Sequence, residues 1–288
     1  MSQSWHIGVI GGSGMAAGIA LENAQEIAVS SPFGEASGPV TTGTLAGVRF
    51  TFLSRHGAGH AIPPSAVNYR ANIDVLKRCG VTDVVALCAV GSLSEEIAPG
   101  HFVTVDQLID RTSGRERSFF GPGLVAHVSL ADPVCARLAG LVGDAAAAAG
   151  ASVHRGGCYM AIDGPQFSTR AESALYRQWD GSVIGMTGMP EARLAREAEL
   201  PYAMLAMVTD YDCWRAGEAV DLPQVMALMK GNAARAQAVL ALLAEGLPQE
   251  RLPSPCDTAL DGAIITAPAA RDRVLAAKLD AVAGRVLR

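Results

Sequence analysis

Seven short apolar runs, at residues 6–10, 48–53, 84–88, 102–105, 158–162, 183–186 and 202–208, recur along the chain, with helical patterns between several of them. Runs of this length, bounded by Gly, Pro and Asp, read as buried strands. Strands alternating with helices build an α/β architecture, so the expected fold is a central mixed β-sheet flanked by helices. The helices carry their own punctuation. One over 65–79 stops at Gly80, Asp132-Pro133 opens another toward Gly150, and Thr169 with Glu172 forms a capping box ahead of 171–179. Further helices are expected over 190–200, 222–245 and 271–287. The LPSPCDT stretch at 252–258 reads as a connection, so residues 1–288 are expected to form a single domain whose C-terminal helices begin near 222. With 50% of residues hydrophobic, such a domain has ample core.

The polar residues follow the strands. Gly11 to Gly14, with Ser13, follows the first run, and Ser54-Arg55-His56-Gly57 follows the second. Ala89-Val90-Gly91-Ser92, Asp163-Gly164-Pro165-Gln166-Phe167-Ser168, Thr187 and Thr209-Asp210-Tyr211-Asp212 follow four others. Open α/β sheets bind ligands beyond the carboxyl ends of their strands. Any one of these stretches is explicable as a turn, Arg55 as a surface ion pair and His56 as a core histidine; their recurrence points to one site. Ser13, Arg55, His56, Thr187 and the glycine-bearing turns are anion-binding groups. Asp210 and Asp212, in an apolar neighbourhood, suit a heterocycle that offers N–H donors, and Phe167 suits stacking on a flat ring.

Two rivals fall away. Gly12-Ser-Gly14-Met-Ala-Ala17 fits the dinucleotide fingerprint, but no acid closes the stretch about 20 residues on, where a ribose would be held. A P-loop would need Gly-Lys-Ser/Thr after the glycines. The net charge of −5 argues against a nucleic-acid binder, and the longest apolar run, 84–90, is too short to span a bilayer. The N-terminus lacks a signal-peptide core. The 6 cysteines form no CxxC pair and the histidines lack ligand spacing, which suits reduced thiols in a cytoplasmic protein without a metal site.

Taken in order, IGVIGGSGM, LSRHGAGHAIPPSAVNYRANI, AVGSLSEEIAPG, VDQLIDRT, IDGPQFSTRAES, MTGMPEARLAREAELPYAM and VTDYDCW resemble the trimeric purine nucleoside phosphorylase superfamily, and within it the 5′-methylthioadenosine phosphorylase branch. The resemblance implies a pentosyltransferase in which phosphate attacks the anomeric carbon of a nucleoside and a purine leaves. It implies phosphate contacts from Ser13, Arg55, His56, the Ala89 backbone and Thr187. Met186 would lie against the ribose, and Phe167, Ser168 and His60 near the nucleoside. Asp210 would protonate purine N7, and Asp212 would accept from a 6-amino group, which selects adenine over hypoxanthine. His127, Leu222 and Val225, with Met226 by helical adjacency, would enclose an apolar 5′ substituent. Inorganic phosphate would be a co-substrate with no cofactor, and the assembly a homotrimer. A broader purine nucleoside phosphorylase, a methylthioinosine phosphorylase and a non-catalytic nucleoside-binding homologue are the alternatives. Cys88 stands where a Thr is expected and would remove a hydroxyl from the phosphate site. Gly188 stands where a larger residue is common and would loosen the pocket. The closing tail from Pro255 is expected to reach a neighbouring subunit's site.

Overall fold

The structure, a computed structural model, describes residues 4–12, 18–215 and 222–287. Among these residues eleven strands form one mixed sheet. In chain order they are β1 (His6–Gly11), β2 (Glu22–Ile27), β3 (Val40–Leu45), β4 (Val48–Ser54), β5 (Asp83–Ser92), β6 (Phe102–Thr104), β7 (Gln107–Asp110), β8 (Val153–Arg155), β9 (Cys158–Ala161), β10 (Gly181–Gly185) and β11 (Tyr202–Asp210). The helices are α1 (Tyr69–Arg78), α2 (Ala136–Ala148), α3 (Arg170–Gln178), α4 (Gly188–Glu197), α5 (Leu222–Gly246), α6 (Arg273–Lys278) and α7 (Gly284–Leu287).

The strand order is β2-β3-β4-β1-β5-β10-β9-β7, and β11 pairs with β5 and with β6, which holds β8. β4, β1, β5 and β11 run parallel. Such strands are buried on both faces, which is why β1 and β11 read as nearly unbroken apolar runs. β10 runs antiparallel to β5, opposing Val183 to Ser92 and Ile184 to Gly91. β5 is therefore the trunk from which the two parts of the sheet branch.

Local chemistry sets the helix ends. Asn68 caps α1 by accepting from the Ala71 amide, later than the expected start at 65. α3 carries both bonds of the capping box between Thr169 and Glu172. α2 begins at Ala136, not at Pro133, because the Cys135 amide donates to the Tyr202 carbonyl and holds the preceding segment against β11. The expected terminal helix is broken into α6 and α7 around Leu279, Val282 and Ala283, all within 1% of full burial. The tail closes on its own chain: Arg285 pairs with Glu199, Arg78 with Asp280, and Ala126 bridges to Ile264. Among the described residues no helix is long and apolar enough to cross a membrane.

Candidate active site

β1 and β10 approach the same edge of β5 from opposite directions. β1 ends its pairing at Ala86 and β10 begins at Gly91, so residues 87–90 have no strand along that edge among the described residues. The carboxyl ends of two strands meet head-on there. Ala89 is the one exposed residue in a strand that is otherwise buried or half-buried.

Arg55 closes the β1 side. Its Nη1 donates to the Leu87 carbonyl at 3.1 Å and its Nη2 to the Ile10 carbonyl at 3.3 Å. Its Nε and Nη2 grip Glu191 of α4 at 2.8 and 3.0 Å, and the Tyr202 hydroxyl donates to the same carboxylate. The planar fork that the sequence offers to an anion is thus engaged by Glu191. A guanidinium has five N–H groups; beyond these four bonds the Cys88 side chain also bonds the Arg55 guanidinium. His56 sits beside it, 7% exposed. Its Nδ1 bonds the Ile62 carbonyl, which only accepts, so Nδ1 carries the proton and Nε2 is the acceptor. Burial lowers its pKa to about 4, and the imidazole is neutral at working pH. His60 stacks on it at 4.2 Å between ring centres. Ser13 lies outside the described residues.

Thr187 arrives from β10, and its hydroxyl lies 3.5 Å from the Cys88 sulfur. Burial keeps that thiol protonated. The Tyr159 hydroxyl accepts from the Thr187 and Gly188 amides, which fixes the start of α4. Gly188 does not loosen the pocket. A Cβ there would fall 2.7 Å from Met204 and 2.8 Å from Tyr159, so the space is already filled by core side chains.

The end of β11 forms the opposite wall. The Asp210 Oδ1 accepts from the Asp212 amide at 2.7 Å, and Oδ2 lies 2.7 Å from the Thr209 hydroxyl. Asp212 is 4% exposed with φ at 54°, a left-handed conformation that Asp tolerates better than most residues. Burial raises the pKa of both carboxyls. Asp212 Oδ2, Ser168 Oγ and Ser173 Oγ are buried without a hydrogen bond of normal geometry among the described residues, and Asp212 faces Ser173. Such orphans are uncommon and mark atoms that await one. The Cys213 thiol donates to the Ser168 carbonyl at 3.2 Å, which ties Phe167 and Ser168 to this turn. Phe167 is 51% exposed.

Arg115 joins the walls. Its Nη1 donates to the Met186 and Met189 carbonyls at 2.7 and 2.8 Å and to the Tyr69 hydroxyl; its Nη2 donates to the Ile162 and Asp163 carbonyls. The Met186 sulfur lies against Gly164, where a Cβ would fall 2.3 Å away. The structure so brings Arg55, His56, Ala89, Thr187, Met186, Ser168, Asp210 and Asp212 to the ends of β1, β4, β5, β9, β10 and β11. His127 does not join them by any bond: it is exposed, and its amide pairs with the Ala263 carbonyl. Val225 is buried on α5 and Met226 is 56% exposed; the Leu222 side chain lies outside the described residues. Asn232, further along α5, donates to the Val208 carbonyl and sets that helix beside the end of β11.

Sequence reasoning missed Glu191, Tyr202, Arg115, Tyr159 and Thr209. A signal existed for Glu191. A buried Arg at a strand end requires an acid, and Glu191 opens a helix just after Thr187. Among the described residues no group of three or more His, Cys, Asp or Glu could hold a metal ion.

Residues 6–245 match the phosphorylase superfamily. The S-methyl-5′-thioadenosine phosphorylase of Bradyrhizobium diazoefficiens is 55% identical over 98% of both chains, and that of Cereibacter sphaeroides 56% identical over 98% of both. A crystal structure of methylthioadenosine phosphorylase from an Antarctic soil metagenomic library is 43% identical, with a TM-score of 0.92 over 97% of this chain and 99% of that one. A single-site mutant of the adenosine/methylthioadenosine phosphorylase of Schistosoma mansoni, in complex with methylthioadenosine, is 34% identical, with a TM-score of 0.78 over 84% of this chain and 91% of that one. With a family match over most of its length and such relatives end to end, the chain belongs to the phosphorylase superfamily.

Proposed function

We propose that this protein catalyses the phosphorolysis of 5′-methylthioadenosine to adenine and 5-methylthioribose 1-phosphate. The observation that carries the base assignment is the carboxylate pair, Asp210 and buried Asp212, at the end of β11. An acceptor there matches the 6-amino group of adenine and leaves a 6-oxo group facing lone pairs. The identities of the relatives, over nearly the whole chain, support the reaction.

In this reading phosphate lies along the open edge of β5, against Ala89, Thr187, Ser13 and Arg55. Neutral His56 accepts a hydrogen bond from a protonated phosphate oxygen through Nε2. Held in line with the glycosidic bond, phosphate attacks C1′ through a transition state of oxocarbenium character, which its negative charge stabilises. Met186 braces the ribose, Phe167 and Ser168 flank the base, and Asp210 protonates N7 as the purine leaves. His60 and Val225 border the sugar and its 5′ group, where the family resemblance also sets His127 and Leu222. No metal or organic cofactor takes part in the proposal; phosphate is the co-substrate. We also propose a cytoplasmic homotrimer. Exposed Leu252, Ile265 and Val274, at 60, 62 and 69%, are the side chains that association would cover, and light scattering would give the subunit count.

The test is base release from methylthioadenosine, methylthioinosine and adenosine, each with and without phosphate. Phosphate-dependent adenine release, fastest from methylthioadenosine, is the expected result. Hypoxanthine release from methylthioinosine in its place would overturn the base assignment, and nucleoside binding without release would leave only a binding protein.

A further inference from the structure

We propose that the Thr209 hydroxyl is a two-position rotor that serves Asp210 in both of its protonation states, which makes Thr209 a positioning residue for the proton delivered to the leaving purine. The inference rests on the phosphorolysis reading above. Thr209 Oγ1 lies 2.7 Å from Asp210 Oδ2 and 3.1 Å from the Val90 carbonyl oxygen. A hydroxyl has one proton, and the carbonyl can only accept. With Asp210 ionised, the hydroxyl donates to Oδ2, and the Val90 oxygen is left to its ladder partner in β11. With Asp210 protonated on Oδ2, the carboxyl donates to Oγ1, the hydroxyl turns to Val90, and all three oxygens are satisfied. Oδ1 accepts from the Asp212 amide in either state, which fixes the carboxyl plane and leaves Oδ2 to gain and lose the proton. Thr209 is 5% exposed and Val90 3%, so little water is at hand to substitute.

Burial raises the Asp210 pKa, in the direction of the protonated acid. Gly91 of β5, where a Cβ would fall 3.0 Å from Asp210 and 3.1 Å from Ile184 of β10, brings no titratable group to this side. The carboxyl beside Asp210 is that of Asp212, which faces Glu172 and Ser173 of α3, and Arg215 lies over the Tyr211 ring. As a phosphate oxygen bonds C1′, the C1′–N9 bond breaks, its electron pair goes to the purine, and the Oδ2 proton, turned from Thr209 Oγ1 to N7 once the purine is seated, passes to it. The hydroxyl then swings from Val90 to the new carboxylate. The proton that phosphate sheds on becoming an ester restores the acid, so the cycle balances.

Thr209→Val and Thr209→Ser test this, with adenine release followed across pH. Losing a hydrogen bond to a charged group predicts a fall in kcat of roughly 10- to 100-fold for Thr209→Val. KM for both substrates should change less than about threefold, since the bond matters only as the proton moves. The basic limb of the rate profile should shift to higher pH, because the carboxylate loses its donor, and Thr209→Ser should restore both rate and limb. A substrate with a nitrophenolate leaving group, which departs unprotonated, should react at the wild-type rate. An unchanged kcat, or a lower kcat with the limb unmoved and both KM values raised, overturns the rotor while the wild-type enzyme still releases adenine. If the wild-type enzyme releases none, the phosphorolysis reading itself fails. Should Thr209→Val not fold, Thr209→Cys must show a smaller loss of the same kind.

Discussion

Arg55 makes its hydrogen bonds inside the protein, two of them to Glu191, and this decides how the residue is read. A buried ion pair adds little when intact and costs a great deal when halved, because the remaining charge has no partner and no water. Glu191→Leu should therefore lower unfolding stability by about 3–5 kcal/mol, seen as a drop in urea midpoint. Glu191→Gln, which keeps an acceptor for Arg55, should lose less. A Leu variant as stable as the wild type would mean that Arg55 is not held by this pair. Sequence alone made Asp210, Asp212 and Arg55 legible, since each interrupts an apolar strand end where charge is expensive. It left Glu191 obscure because the partner lies 136 residues away and only the fold brings it in.

Elements show the same division. Strands flanked on both sides, such as β1, β5 and β11, announce themselves by unbroken apolar runs. β2, sequence ENAQEI with every residue exposed, buries neither face, so nothing in its pattern marks a strand; only the ladder to β3 makes it one. The turns after β9 and β10 are held chiefly by Arg115, whose hydrogen bonds to four carbonyls no periodicity could reveal. Arg115→Met would leave those oxygens unpaired at a cost of about 1–3 kcal/mol each if they stayed dry. Faster hydrogen exchange is expected in 162–168 and 186–189, with KM for the nucleoside raised more than KM for phosphate. Unaltered exchange in both turns would show that their shape is intrinsic.

Across the whole molecule, buried acids make stability depend on pH in an unusual direction. Glu197 of α4 accepts from the Ser118 hydroxyl and the Phe119 amide, and burial raises its pKa to about 7. A carboxyl whose folded pKa exceeds its unfolded one contributes most below the unfolded value and loses that contribution as pH rises through the folded value. Glu197→Gln, which can keep both bonds, should gain on the wild type by about 2 kcal/mol between roughly pH 4.5 and 8, after discounting for solvent screening. Parallel denaturation curves at all pH values would contradict this. The same scale exposes a consequence of the branching trunk. β5 meets residues 7–10 along one edge, 183–184 further along it, and 202–210 along the other. During synthesis the N-terminal third can emerge and pair β1 with β5, yet one whole flank of β5 stays bare until the chain from Ser92 to Tyr202 has left the ribosome. The catalytic cleft is consequently among the last features completed, and until then the growing chain carries an apolar strand edge of the kind that chaperones cover.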